Sequence, residues 1–325
     1  MAKIITEKIL EFKVTDGQRK TRIDSFLSNI IENTTRSRIQ KLIKADMVTV
    51  NGNTVKPNYV VMPDDRIIVT IPISPRPENV EPEDIPLNVV YEDEYLLVVN
   101  KPAGMVAHPA YGNFTGTLVN ALLNHTSKLS DVNEPGRPGI VHRIDKDTSG
   151  LMLVAKDEYV HAELAKQFAA HTLDREYWAV CWGHFSEPKG EITGNIARSK
   201  KDRKVFTVSE NEGKTAHTFY EVLEEYEFAS LIKLKLKTGR THQIRVHLTH
   251  LNHPIFGDPA YGGRSIIYGS SLPKIKSRVN NLLKIMERQA LHAKTIGFFH
   301  PMKKERIFFD SPLPEDMLEL IDNLK

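Results

Sequence analysis

The sequence predicts an α+β protein in two parts: a small N-terminal α/β module, then a larger domain on a largely antiparallel mixed sheet. Three observations predict this. The 325 residues exceed what one compact core usually holds, at roughly 150 residues per domain. Residues 72–86 carry five prolines (Pro72, Pro75, Pro77, Pro82, Pro86) among acidic residues, the composition of a stiff, extended linker. Beyond that stretch strand patterns outnumber helical ones and no strand–helix–strand rhythm recurs, which argues for antiparallel pairing. The expected boundaries are 18–71 for the module, 72–86 for the linker and 87–325 for the second domain.

In the module, Ile23, Phe26, Leu27, Ile30 and Ile31 fall on one face of a helix. Ile39, Leu42 and Ile43 repeat that spacing in a second helix, with Thr34 or Thr35 as its candidate cap. Arg36, Arg38, Lys41 and Lys44 avoid the second apolar stripe, as a binding surface or as a solvated helix face. Val48–Val50 and Thr54-Val55 flank Asn51-Gly52, the pair that favours a type I′ hairpin, and residues 66–70 supply a further strand.

The second domain opens with a strand pair, 87–92 and 95–100, leading into Lys101-Pro102-Ala103-Gly104. A helix is expected over 116–124, and a strand buried on both faces over the continuous apolar run 151–155. Residues 158–171 read as a helix on Val160, Leu164 and Phe168, and 176–182 as an aromatic-bearing strand. Residues 190–206 read as a hairpin whose tip carries Arg198, Lys200, Lys201, Arg203 and Lys204 against the single acid Asp202. Such a tip is a candidate phosphate contact or a solubilising surface hairpin. Ile232, Leu234 and Leu236 alternate with Lys233, Lys235 and Lys237, predicting a strand with one wet, basic face. Residues 238–248 then turn into a helix that packs Ile244, Leu248 and Leu251 inward. Arg245, about 100° round from Ile244, sits at the edge of that stripe, free to reach out.

The net charge of +3 is unremarkable for any partner, but it is unevenly placed. Residues 1–70 hold twelve Lys/Arg against eight Asp/Glu, whereas residues 71–94 hold one Arg against seven acids. The basic charge therefore concentrates where a nucleic acid would dock. No apolar run reaches the 18 or so residues of a membrane span and no apolar core follows Met1, so a cytoplasmic protein is expected. The single cysteine, Cys181, excludes an internal disulfide and a cysteine-rich zinc site. His242, His247, His250 and His253 crowd one segment without an acid placed to complete a zincin pattern, so no metal site is expected.

The chemistry-bearing stretch is 138–156, where the loop His142-Arg143-Ile144-Asp145-Lys146-Asp147-Thr148-Ser149-Gly150 runs straight into the buried strand. A carboxylate just ahead of such a strand stands on rigid scaffold, and Arg143 and Lys146 beside Asp145 favour its ionised form. Read alone, Asp145 also suits an ordinary turn, Tyr177 a core aromatic and Arg245 a surface ion pair.

Longer motifs decide between these readings. Arg22-Ile23-Asp24-Ser25-Phe26-Leu27, Ser37-Arg38-Ile39-Gln40-Lys41-Leu42-Ile43 and Val48-Thr49-Val50-Asn51-Gly52 resemble the S4 RNA-binding domain, with Asp46 and Asp64 where glycine is usual. The segments 101–104, 138–156, Arg175-Glu176-Tyr177-Trp178-Ala179, 238–248, Gly257-Asp258-Pro259-Ala260-Tyr261-Gly262-Gly263 and Arg288-Gln289-Ala290-Leu291-His292-Ala293 form one ordered series. That series resembles the RluA/RluD family of pseudouridine synthases, which act on large-subunit ribosomal RNA. The resemblance implies the pseudouridine synthase fold with Asp145 as catalytic aspartate, Tyr177 stacked on the target base and Arg245 as the ion pair orienting Asp145. It implies Arg143 in the gap left by a flipped nucleotide, and His142, Thr148 and Lys101 around the substrate, Lys101 doubling as a structural turn. The module's Arg36, Arg38, Lys41 and Lys44, with the hairpin cations, would then lie on RNA.

The implied reaction breaks N1–C1′, turns the uracil and joins C5 to C1′, with no redox change, so it calls for no cofactor. One carboxylate suffices, attacking C1′ or removing a sugar proton to give a glycal. The target uridine has to leave the stack, which costs a few kcal/mol. A monomer with RNA as its partner is expected. The competing readings are a catalytically silent RNA binder and a glycosylase, which would call for two cooperating carboxylates.

Overall fold

The apolar periods close into separate cores. The computed structural model describes residues 6–18, 20–31, 34, 36–73, 80–110, 112–131, 137–199, 202, 205–267 and 273–325. The chain divides into two compact units, Met1–Glu78 and Asn79–Lys325.

In the first unit α1 (Ile23–Ile30) and α2 (Arg36–Lys44) pack on a four-stranded sheet of β1 (Thr6–Lys13), β2 (Val48–Val50), β3 (Asn53–Thr54) and β4 (Arg66–Ile73), in the order β1-β4-β2-β3. Ile23, Leu27, Ile39, Leu42 and Ile43 meet Val48, Val50, Ile67 and Val69 in one core. Asn51 and Gly52 both take positive φ, 51° and 82°, which is the type I′ geometry. Strand β1 lies ahead of the expected start at residue 18: it runs along β4 as an edge, and its exposed Ile9 blurs the alternation. Of the two expected caps, Thr34 is buried and Thr35 lies outside the described residues.

The stretch expected as linker over 72–86 is shorter. Pro72 and Ile73 belong to β4. Val80, Ile85 and Leu87 pack on the second unit's core. There Glu83 takes the Gly116 N–H on its carboxylate, and Asn120 Nδ2 donates to the Glu81 carbonyl at 2.7 Å. Prolines set the extended backbone, and the apolar residues between them give it something to bury.

The second unit is organised by β5 (Val89–Glu92), β6 (Leu96–Lys101), β7 (Ser149–Ala155), β8 (Asp174–Trp182), β9 (Lys189–Arg198), β10 (Phe206–Ser209), β11 (Lys214–Glu225), β12 (Ala229–Leu236), β13 (Leu291–His300) and β14 (Glu305–Asp310). They form one ten-stranded sheet, β10-β9-β11-β12-β8-β13-β7-β6-β5, with β14 also on β13. Among the described residues only the β13–β7 pairing is parallel, so the sheet is largely antiparallel. Helices α3 (Leu118–His125), α4 (Glu158–Ala170), α5 (Gln243–His250), α6 (Pro273–Ile285) and α7 (Glu315–Leu324) complete the α+β unit. Every residue of β7 is buried. Gly150 (φ 117°) permits this, because a Cβ there would stand 2.3 Å from the Ala293 carbonyl oxygen of β13. The face of β12 expected to be basic is neutralised in place: Lys233 pairs with Glu221 and Lys235 with Glu176.

Candidate active site

The loop that carries Asp145 is pinned from behind at three successive residues. Lys101, at the end of β6, is 1% exposed and donates from Nζ to the carbonyls of Pro102, Met105 and Lys146 at 2.7, 2.8 and 3.0 Å. Arg288 Nη1 donates to the Asp147 carbonyl, and Gln289 Nε2 to the Thr148 hydroxyl. Burial pulls the Lys101 pKa down to about 7, against Asp147 and Asp145, which favour its charge. The three carbonyls also favour the ammonium, which alone has three N–H donors. Lys101, expected around the substrate, thus stands underneath the loop as a support, since its Nζ points at backbone. Thr148 is buried with its hydroxyl engaged by Gln289 while its residue still lines the cavity.

Asp145 itself is left open. Its side chain is 20% exposed and accepts one charged hydrogen bond, from Arg245 Nη1 to Oδ2 at 3.1 Å. Arg245 comes from α5 and is 7% exposed, so it lies in the interior and does not reach out from the stripe's edge. The reason is Asp258, fully buried, which takes the other prongs of the guanidinium: Nε to Oδ2 at 2.7 Å and Nη2 to Oδ1 at 2.9 Å. The backbone N–H groups of Ala260 and Tyr261 also donate to Asp258 Oδ1, and the Tyr261 ring packs against the guanidinium, 4.8 Å from its centroid. Burial alone would lower the Arg245 pKa; Asp258 and Asp145 outweigh it and raise the value. The arginine is a fixed positive charge, fully oriented before any ligand arrives.

A cavity of about 380 Å³ opens in front of this pair. Asp145, Tyr177, Ile144, Leu236 and Leu291 line it, with Arg143, Arg240 and His242. Tyr177 is 6% exposed on β8, opposite Leu234 and Ala293. Burial pushes its hydroxyl pKa up; the Arg175 guanidinium opposes that shift and Asp145 adds to it. Arg143 is exposed and makes no ion pair among the described residues. His142 turns inward: its Nε2 accepts the Leu153 N–H at 2.9 Å and its ring stacks on Phe168 at 4.4 Å. Burial, with Arg175 beside it, drops its pKa to about 3, so it is a neutral wall group.

The structure brings together Asp145, Tyr177, Arg245, Arg143, His142 and Thr148, and sets Lys101 behind them. In the first unit Lys41 and Lys44 are exposed. Arg36, with its side chain half exposed, is engaged by Asp24 through Nε at 3.0 Å and Nη2 at 3.3 Å. Nothing is described of the Arg38 side chain. On the hairpin Arg198 is exposed and its guanidinium lies over Phe206; Lys200, Lys201, Arg203 and Lys204 lie outside the described residues. The crowded histidines go separate ways: His242 to Tyr261, His247 to the Thr218 hydroxyl, His253 to the Trp182 carbonyl. Sequence reasoning gave no role to Asp258, Tyr261, His242 or Arg175, although all four lie inside the quoted segments 257–263, 238–248 and 175–179.

The model for RNA pseudouridylate synthases matches residues 95–250, and that for the S4 domain residues 21–67. An uncharacterized RNA pseudouridine synthase of Bacillus subtilis is 44% identical over 97% of this chain and 98% of its own. The chain belongs to the RNA pseudouridylate synthase family. Ribosomal large subunit pseudouridine synthase D of Zymomonas mobilis is 46% identical over 91% of each chain. The solved structure of human RNA pseudouridylate synthase domain containing 4 shares the fold, with a TM-score of 0.56 and 22% identity over 73% of this chain and 92% of its own. As a family member the chain is an RNA pseudouridine synthase, an isomerase with an S4 domain at its N-terminus. No helix among the described residues is long and apolar enough to cross a membrane.

Proposed function

We propose that this chain converts specific uridines of large-subunit ribosomal RNA to pseudouridine, without a cofactor and as a monomer. One observation carries the chemistry. Asp145 is the single carboxylate among the described residues lining the cavity, held through one oxygen by Arg245 and still open on the other. That arrangement suits one carboxylate acting on the sugar, at C1′ or at the C2′ proton, and lacks the second carboxylate a hydrolytic glycosidase uses. Tyr177, Ile144, Leu236 and Leu291 give the detached uracil an apolar floor and keep water from the sugar. Arg143 is read as the side chain that fills the gap of a flipped nucleotide, a reading supported by its exposure at the same cavity.

Ribosomal RNA is the substrate favoured by the relatives named for it and by the S4 domain, whose exposed Lys41 and Lys44, with Arg198, are read as RNA contacts. A cytoplasmic site of action, on free RNA or assembling ribosomal particles, follows from that substrate. A monomer fits because one chain supplies every side chain assigned to the chemistry. C5-tritiated ribosomal RNA tests the proposal: isomerisation releases tritium to water, a glycosylase releases tritiated uracil, and a silent binder releases neither.

A further inference from the structure

A left-handed histidine stands beside Asp145 without a role in the chemistry above. His242 takes φ 54°, ψ 20° at the N-terminus of α5, a conformation that costs a non-glycine residue roughly 1 kcal/mol or more. Capping does not explain it, since the ring makes no capping bond. Gln243 does the local work, its Oε1 accepting the Arg240 N–H and the Thr238 hydroxyl.

The ring instead turns toward the cavity. Its Nδ1 lies 2.8 Å from the Tyr261 hydroxyl, and its Nε2 lies 3.9 Å from Asp145 Oδ2, the oxygen already bound by Arg245. The edges of the Phe206 and Tyr261 rings hold it in that orientation. Tyr261 is fixed in turn: its hydroxyl accepts the Phe206 N–H at 2.9 Å and its ring packs on Arg245. The negative carboxylate favours the proton on Nε2, which leaves Nδ1 to accept the Tyr261 O–H. Burial, aided by Arg245 and Arg143, lowers the His242 pKa against the pull of Asp145 and Asp258. The ring is a neutral donor aimed at a carboxylate.

We propose that His242 is a positioning residue for Asp145: oriented by Tyr261, its Nε2–H becomes the second donor that fixes the carboxylate when a nucleotide fills the cavity. At 3.9 Å the contact is electrostatic and too long for a hydrogen bond. Closure of about 1 Å makes it one, as catalytic hydrogen bonds tighten on a bound substrate. Arg245 alone leaves the carboxylate free to swing about one anchored oxygen. A donor from a second direction decides which lone pair faces the sugar.

The inference rests on the isomerisation proposed above, so the full chain is first tested for tritium release. Single-turnover rates and RNA affinity are then compared for the wild type, His242→Ala, His242→Gln and Tyr261→Phe. We expect His242→Ala to lose about 10²-fold in rate with RNA affinity within about twofold, the scale of a misplaced reacting group. His242→Gln, whose amide restores a donor, should recover most of that loss, and Tyr261→Phe should fall between. An alanine variant at the wild-type rate, a loss matched by lost RNA affinity, or no recovery by glutamine overturns the proposal. A readout independent of activity covers an inactive or misfolded variant: ¹⁵N spectra of histidine-labelled wild type and Asp145→Asn. The Nε2–H form in the wild type, weakened in Asp145→Asn, supports the pairing; the Nδ1–H form in the wild type overturns it.

Discussion

Two aspartates, one in each unit, face arginines in opposite ways. Asp24 in the S4 domain is fully buried and takes five donors: Nε and Nη2 of both Arg22 and Arg36, and Gln40 Nε2 at 2.6 Å. Asp145 is 20% exposed and takes one, because Asp258 occupies the rest of its arginine. A saturated carboxylate has no lone pair to offer a substrate and works as a corner post between α1 and α2. A carboxylate with one anchored oxygen keeps the other open toward the cavity. The difference lies in the count of donors, since both are Asp–Arg pairs.

The largest effect should come from removing the open carboxylate. Asp145→Asn is expected to lower tritium release at least about 10³-fold, about 4 kcal/mol of barrier, while melting temperature and RNA binding stay near wild type. Residual activity within tenfold of wild type would place the chemistry elsewhere. Next is the shared arginine. Arg245→Met leaves Asp258 buried and unpaired, for an expected loss of about 3 kcal/mol of stability besides the loss of activity, read by denaturant unfolding. A stable but inactive variant would show that Asp258 needs no partner.

The saturated aspartate should respond to acid in place of substrate. Burial pushes the Asp24 carboxyl up, but the bonds from Gln40, Arg22 and Arg36 hold it at about 2, below its ordinary 3.8. A depressed carboxylate contributes its stability above the unfolded pKa and loses it as pH falls through the folded one. The S4 domain should therefore lose about 2 kcal/mol between pH 4 and pH 2. Asp24→Asn should remove that acid sensitivity, as followed by hydrogen exchange of residues 22–44. The smallest effects belong to exposed cations: Lys41→Gln and Lys44→Gln should each reduce the salt slope of RNA binding by about one, with stability unchanged.

Arg36 shows what sequence reasoning could not see. Its place off the apolar stripe of α2 is correct as periodicity, but its guanidinium serves Asp24, twelve positions earlier. Lys101 is the same case: a lysine beside a turn motif reads as a cavity group, and the fold turns its ammonium onto three carbonyls, one of them 45 residues away. Arg245 was legible as the partner of Asp145 through its motif. That it lies inside, held by Asp258 and against Tyr261, was not.

The sequence by itself determined the two units, most of the strands and helices, and the aspartate to watch, because period, turn residues and contiguous motifs act over a few neighbouring positions. The tertiary structure alone decided how many donors each carboxylate receives and which polar groups are left open toward the cavity. Those depend on side chains from β6, α5 and the 257–263 turn converging on one loop, and on burial, which makes every unfilled hydrogen bond costly and so forces each partner to a definite place.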